Sequence, residues 1–362
     1  MEQRVCLRGD ILGKKEKMWN GILLVTLTLI TVLVLIKNHE LKDLDEILKN
    51  LNYGYLGLAV LAMVVNTLFD SAILKMNTDY LEQKIKFSQA CFLTVDGQYY
   101  SMVTPLGSGG QPMQIYAMKR RYEIPVSKAT AATIHKCFTY QYVIGVMSVG
   151  AFFVLFGFLR EQFSSYFWII VLAVLINVLA TVAMVLIVYN GKWVIKVTEK
   201  ICNFLHRFRL TKNVKATKIL QTVEEYDVSL RGMKDDKKLF LKSFFLNFCA
   251  MTCYFSIAYF VFRAMNISHL SFVAAFCMQI LVYAVTSCIP TPGNAGASES
   301  GFYILFATLV PDKNLAVAML LWRIIIYYLN LLVSAIIVWI DFLIRGKKME
   351  NYDKEQPECE SV

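Results

Sequence analysis

The stretch "PTPGNAGASESG", Pro290 to Gly301, decides how the rest of the chain is read. Its density of Gly, Pro, Asn and Ser marks a break in regular structure. It nevertheless lies between "FVAAFCMQILVYAVTSC" and "FYILFATLV", both apolar enough for a bilayer. In hydrocarbon an unpaired backbone NH or CO costs several kcal/mol, so irregular chain at membrane depth has to be lined by protein or by a water-filled cavity. The stretch also carries an acid, Glu299. It reads as the turn of a re-entrant hairpin with two helical limbs.

Composition supports the membrane setting. Hydrophobic residues make up 57% of the 362, charged residues 18%, and mean hydropathy is +0.50. This is the profile of an all-α polytopic membrane protein and excludes an ordinary soluble one. Six apolar runs are long enough to cross as helices: Trp19 to Ile36, Tyr53 to Leu74, Ala129 to Leu159, Tyr166 to Tyr189, Ser243 to Phe262 and Leu315 to Leu343. Two further regions, Phe87 to Val103 with the turn after it, and His269 to Val310, are interrupted by glycine and proline. The first run follows a basic "KKEK" but lacks a small-residue cleavage site, so it reads as an uncleaved span. Nine cysteines are scattered without metal-ligand spacing, and neither disulfides, a metal nor a cofactor is expected.

The net charge of +10 suggests topology rather than nucleic acid. With both termini cytoplasmic, six crossings and two re-entrant hairpins, 29 of the 37 Lys and Arg residues fall on the cytoplasmic side and 6 outside. The other 2, Lys136 and Arg323, lie within the membrane. The tails then cover 1–18 and 344–362 and the membrane domain 19–343, with a cytoplasmic insert at 191–242. Within that insert "KWVIKVTEKICNFLHRFRL" alternates apolar and basic residues at helical spacing, as an amphipathic helix on an anionic inner leaflet does. Trp193 and Trp322 read as interface aromatics.

The two interrupted regions echo each other. A shift of 187 residues lays "TPLGSGGQP" (Thr104 to Pro112) on "TPGNAGASE" (Thr291 to Glu299), with eight identities in 43 positions and Lys136 on Arg323. Three crossings separate the copies, so the second is upside down relative to the first. The halves run about 19–159 and 166–343, and such inverted repeats place a transporter's substrate site where they meet.

Ionisable groups inside a bilayer face a cavity or one another. Glu299, at the start of the second limb of its hairpin, is expected to pair with Arg323 in the last span, either lining a polar path for a lipid headgroup or pinning the hairpin. Lys136 occupies the equivalent place in the third full span, with His135 beside it as either a titratable neighbour or a packing residue. Asp96, in the first limb of the first hairpin, is a partner for a cation or a headgroup amine, or simply for loop backbone. The turns Pro105, Gly107, Gly109, Gly110 and Pro292, Gly293, Gly296 reverse the chain. They lack the lysine and hydroxyl of a nucleotide-binding loop, so no ATP site is expected.

"TPLGSGGQPMQIYAMKRRYEIPVSKATAATI" and "IPTPGNAGASESGFYILFATLVPDKNLAVAMLLWRIIIYYL" resemble the two signature regions of the lysylphosphatidylglycerol synthase transmembrane, or flippase-like, family (UPF0104-type) of bacterial membrane proteins. The second motif carries most of the likeness, in Pro292, Gly293, Gly296, Glu299 and Arg323. The first departs from it, with Gln111 where an acid is common and His135-Lys136 where a Glu-Arg pair is usual. The resemblance implies a flippase for an aminoacylated phospholipid such as lysyl-phosphatidylglycerol, or another lipid-linked substrate, in a bacterial plasma membrane. The runner-up reading is the membrane component of a phosphatidylglycerol lysyltransferase system, associated with cationic peptide resistance and served by a separate synthase protein. Val362 follows the last span closely, so no synthase domain and no catalytic residues are expected here. A small-solute or ion carrier with the same inverted plan remains the third reading.

Overall fold

A computed structural model describes residues 49–104, 107–190, 227–287, 289, 291, 293–310 and 312–341. The run Trp19 to Ile36, both tails, residues 191–226 of the cytoplasmic insert with the basic helix expected there, and Pro105 and Pro292 lie outside the described residues. Within them the protein is all-helical: α1 (Tyr53–Tyr80), α2 (Phe87–Val103), α3 (Gly110–Tyr122), α4 (Val126–Val154), α5 (Phe156–Gln162), α6 (Phe167–Tyr189), α7 (Lys237–Ala264), α8 (Phe272–Thr286), α9 (Ala297–Phe306) and α10 (Asp312–Arg323). After Arg323 the last helix continues as a π-turn over Ile324–Leu329 and runs on to Asp341. Five helices among the described residues are long and apolar enough to cross a membrane: α1, α4, α6, α7 and the continuous Asn314–Asp341.

The bundle is inside-out relative to a soluble one. On α6, Trp168, Leu172, Leu175, Leu179, Val182 and Leu186 recur at helical spacing and are all exposed. That stripe has hydrocarbon as its natural solvent. Inside, α1 packs along α7 and aromatic rings fill the far end, with Phe262 and Phe306 at 4.9 Å and Phe302 and Trp322 at 4.8 Å. Trp322 is thus a 3% exposed core residue, not the interface aromatic its place near a span end suggested. Buried asparagines stitch neighbouring helices: Asn66 Nδ2 donates to Ala250 O, Asn77 Nδ2 to Ala132 O and Asn177 Nδ2 to Ala284 O. Such bonds average about 0.6 kcal/mol in membranes, so they fix register while packing supplies the stability.

Several span boundaries move, α1 running on past Leu74 to Tyr80, and two of the shifts have visible causes. The apolar run to Leu159 is interrupted at Leu155, where α4 ends and α5 turns away. Phe152, Phe156 and Phe167 cluster across that bend at 5.7 to 6.1 Å, which hydropathy alone does not register. Helix α7 begins six residues before the apolar run because Asp236 caps it, accepting from Lys238 N at 2.8 Å and Leu239 N at 3.0 Å.

The sense of each element follows from its contacts. Helices α2 and α3 are antiparallel, since Leu93 O accepts from Gln114 Nε2 while Gly97 lies against Gly110. The end of α1 returns to the start of α4, because Lys128 Nζ donates to Leu81 O. The first hairpin therefore enters and leaves at one end of the bundle. Helices α1 and α7 are also antiparallel, with Asn52 N donating to Ala264 O. At that opposite end α8 starts beside the end of α9, where His269 Nε2 lies 3.0 Å from Leu309 O. The order α1–α2–α3–α4 thus recurs as α7–α8–α9–α10 with reversed sense. Helix α2 has 17 residues and α8 has 15, about 26 and 22 Å at 1.5 Å per residue, short of a ~30 Å hydrocarbon core.

Candidate functional site

The second turn is built on left-handed backbone: φ is +57 at Gly293, +53 at Asn294 and +80 at Gly296. Gly293 is doubly constrained, since an added Cβ would lie 2.2 Å from the Tyr327 ring. Gly296 precedes the first turn of α9, and Glu299 reaches back to accept from Gly296 N at 2.8 Å. This is half of a capping box, because glycine has no side chain to reciprocate. The other carboxylate oxygen lies 2.9 Å from Arg323 Nε, with the two side chains 9% and 5% exposed. Arg323 also donates through Nη2 to Gly293 O at 2.8 Å and stands 4.3 Å over the Tyr327 ring. Carboxylate, carbonyl and aromatic face together hold the guanidinium, and through it the turn is tied to the last span.

Arg323 borders a cavity of about 450 Å³ in the middle of the bundle. The turns of both hairpins reach it, Gly107 from the first and Gly293 and Asn294 from the second. Polar side chains on its walls include Asn66, Asp70, Gln98, Asn247, Gln279 and Asn330. Tyr140 and Tyr283, whose hydroxyls are hydrogen-bonded to each other, stand beside Tyr327 on the same cavity. Tyr327 donates to Met102 O at 3.2 Å, joining the last span to the first hairpin. A smaller cavity of about 150 Å³ opens behind α2 and shares Asp70, Gln98, Ser101 and Tyr140 with the larger one.

The residues singled out from sequence fall into three groups. Glu299 and Arg323 form the expected pair. Lys136 and Gln111 line the smaller cavity, and Lys136 Nζ lies 2.8 Å from Asp70 Oδ2. His135 and Asp96 are not among the residues lining either cavity. His135 is fully buried, and neither ring nitrogen has a hydrogen-bond partner among the described residues. Asp96 is 2% exposed near Arg121, which is ion-paired at 2.7 Å with Asp341 and lies 4.1 Å from the Phe92 ring. In the first turn, a Cβ on Gly110 would sit 1.9 Å from Ser101 Oγ and one on Gly109 2.7 Å from Thr104 Cγ2. Those glycines let the two limbs cross closely.

Asp70 is what sequence reasoning missed. It is a carboxylate inside an apolar run, and the rule that singled out Lys136 and Arg323 applies to it equally. The two halves supply cations at equivalent places but draw carboxylates from different elements, the hairpin in one half and a span, α1, in the other.

The model of the lysylphosphatidylglycerol synthase TM region family matches residues 18–334, and the chain belongs to that family. A UPF0104 membrane protein of Methanocaldococcus jannaschii is 22% identical over 327 residues, covering 87% of this chain and 93% of the relative. Another UPF0104 membrane protein, from Archaeoglobus fulgidus, is 21% identical over 322 residues, covering 88% and 95%. Both relatives are archaeal, so the likeness reaches beyond bacterial proteins.

Proposed function

We propose, with that family membership as premise, that this multi-pass membrane protein moves a lipid between leaflets, passing its headgroup through the central cavity while the acyl chains stay in the bilayer. The observation that carries the reading is that both hairpin turns and members of both intramembrane ion pairs border two adjoining cavities that share polar walls inside an apolar bundle. Charges so placed are costly unless a polar path needs them. Arg323 is the residue that meets the lipid phosphate, its guanidinium being suited to a tetrahedral anion. An aminoacylated phospholipid such as lysyl-phosphatidylglycerol is the substrate class the family description favours. The setting is a cell membrane, with both termini cytoplasmic as the distribution of Lys and Arg implies, and anionic lipid at the basic insert.

The test is a leaflet-resolved assay in proteoliposomes with labelled lysyl-phosphatidylglycerol, other phospholipids and polyprenyl phosphates. Faster translocation than in empty vesicles for at least one lipid supports the reading; no acceleration for any sinks it. Replacing Arg323 by Gln is expected to lower transport more than folded yield.

The family description names a synthase, which favours one second reading: a membrane component serving a separate aminoacyl-phospholipid synthase. On that reading, deleting the protein lowers the lysyl-phosphatidylglycerol content of cells, whereas loss of a carrier shifts its leaflet distribution.

A further inference from the structure

The two ion pairs differ in how firmly they are held. Arg323 and Glu299 are almost fully buried and have additional partners. Lys136 and Asp70 are 13% and 23% exposed and stand on the wall of the smaller cavity.

The surroundings of Asp70 are acceptor-rich. Thr94 Oγ1 and Gln98 Oε1 are buried without a hydrogen-bond partner, and both residues line the smaller cavity with Asp70 and Lys136. Thr94 is 1% exposed. Its behaviour departs from that of other helical threonines in this bundle: Thr67, Thr78, Thr133, Thr139 and Thr181 each donate to the carbonyl four residues back. Thr94 and Gln98, four apart on α2, share a face. A buried acceptor left unsatisfied costs about 1–3 kcal/mol, a cost that a ligand bearing positive charge removes.

We propose that Asp70, Thr94 and Gln98 bind a small monovalent cation, and that Lys136 occupies the carboxylate when the cation is absent. One carboxylate balances one positive charge. A divalent metal is disfavoured, since no group of three or more His, Cys, Asp or Glu residues capable of holding one occurs among the described residues. The displaced Lys136 ammonium turns toward the rest of the smaller cavity, where water or a phosphate receives it. The cation arrives free, as an alkali ion, or as the ammonium of a headgroup in the larger cavity; the second source rests on the carrier reading above.

The experiment is thermal unfolding of the purified full chain in detergent at constant pH and ionic strength, with N-methyl-D-glucamine chloride exchanged for NaCl, KCl or methylammonium chloride. A ligand that binds only the folded state raises Tm in a saturable way. The wild type is expected to show that rise and Asp70→Asn to lose it. Thr94→Val and Gln98→Leu are each expected to raise the half-saturating concentration about tenfold by removing one buried partner. Lys136→Gln is expected to lower it about threefold or more, because the competitor is gone. A response to alkali ions alone identifies a free ion and a response to methylammonium alone a headgroup ammonium; both together show a site open to either. No saturable rise in the wild type, or a rise retained in Asp70→Asn, overturns the proposal. Because transport is not measured, failure of the lipid-carrier reading leaves this outcome intact, and the reverse holds.

Discussion

Arg323 Nε lies 2.9 Å from Glu299 Oε1, and the carboxylate's other oxygen caps the first turn of α9 through Gly296 N. One acid therefore serves a helix terminus and a buried cation at once. The two members are not equivalent under substitution. A lone buried carboxylate neutralises itself by taking up a proton, whereas a guanidinium cannot lose one.

Glu299→Gln is therefore expected to destabilise the protein more than Arg323→Gln. The first leaves an unpaired buried charge and costs about 3–5 kcal/mol, the range for breaking one side of a buried pair. Leucine at both positions is expected to recover much of that stability and none of the transport, since apolar replacement of a whole pair is often neutral. Thermal unfolding in detergent, read beside the proteoliposome assay, checks all three. Equal losses from the two single substitutions would show that the charges contribute through shape alone.

Gly293 and Gly296 both have positive φ, but only Gly293 faces an obstacle, the Tyr327 ring at 2.2 Å from an added Cβ. Gly296→Ala meets no neighbouring atom, only the strain of φ +80 with ψ −48, about 1–3 kcal/mol. Gly293→Ala combines strain at φ +57 with a clash of about 1–3 kcal/mol against the Tyr327 ring. The expected order of folded yield is wild type, Gly296→Ala, Gly293→Ala. Tyr327→Ala is expected to rescue part of the Gly293→Ala loss and none of the Gly296→Ala loss, and a double-mutant cycle reads that difference.

Much of this architecture was legible in the sequence for a physical reason. Bilayer-length apolar runs and the glycine-rich breaks between them register directly in hydropathy, and Glu299 with Arg323 stood out because charge in such runs is costly. What stayed hidden depends on packing across helices. Asp70 was legible as a charge within an apolar run, but its pairing with Lys136 shows only once α4 packs beside α1, and Trp322 reads as an interface aromatic until Phe302 stacks on it. Bends such as the one at Leu155 leave no compositional trace. The departure of the first motif from the second has its counterpart in the structure, where one carboxylate comes from a hairpin and the other from a span.

Acid sensitivity is expected at the start of α7. Asp236 accepts from the backbone NH of Leu239 and then of Lys238, and these bonds hold its carboxyl below the usual carboxylate range. A depressed folded pKa means its contribution is fully present above the unfolded value of about 3.9 and is lost as pH falls through the lower folded value. Asp236→Asn keeps a capping oxygen without the charge. The wild-type Tm is therefore expected to fall more steeply than that of Asp236→Asn as pH drops below about 4. Parallel curves in thermal unfolding across that window would remove the charge from the cap's role.

The sharpest test of the architecture is where the hairpins open. The first leaves the bundle at the end where α1 finishes and α4 begins, tied by Lys128 Nζ to Leu81 O. The second leaves where α7 finishes and α1 begins, tied by Asn52 N to Ala264 O. Because α1 crosses the bilayer between these points, Lys84 beside the first hairpin and Asn266 beside the second lie on opposite sides of the membrane. In a cysteine-free background, Lys84→Cys and Asn266→Cys are expected to react with an impermeant maleimide from opposite faces of sealed vesicles. Lys84→Cys reacts from the cytoplasmic face if the excess of Lys and Arg sets orientation. Labelling of both from one face would require α1 not to cross, and the reversed order of the two halves would fall with it.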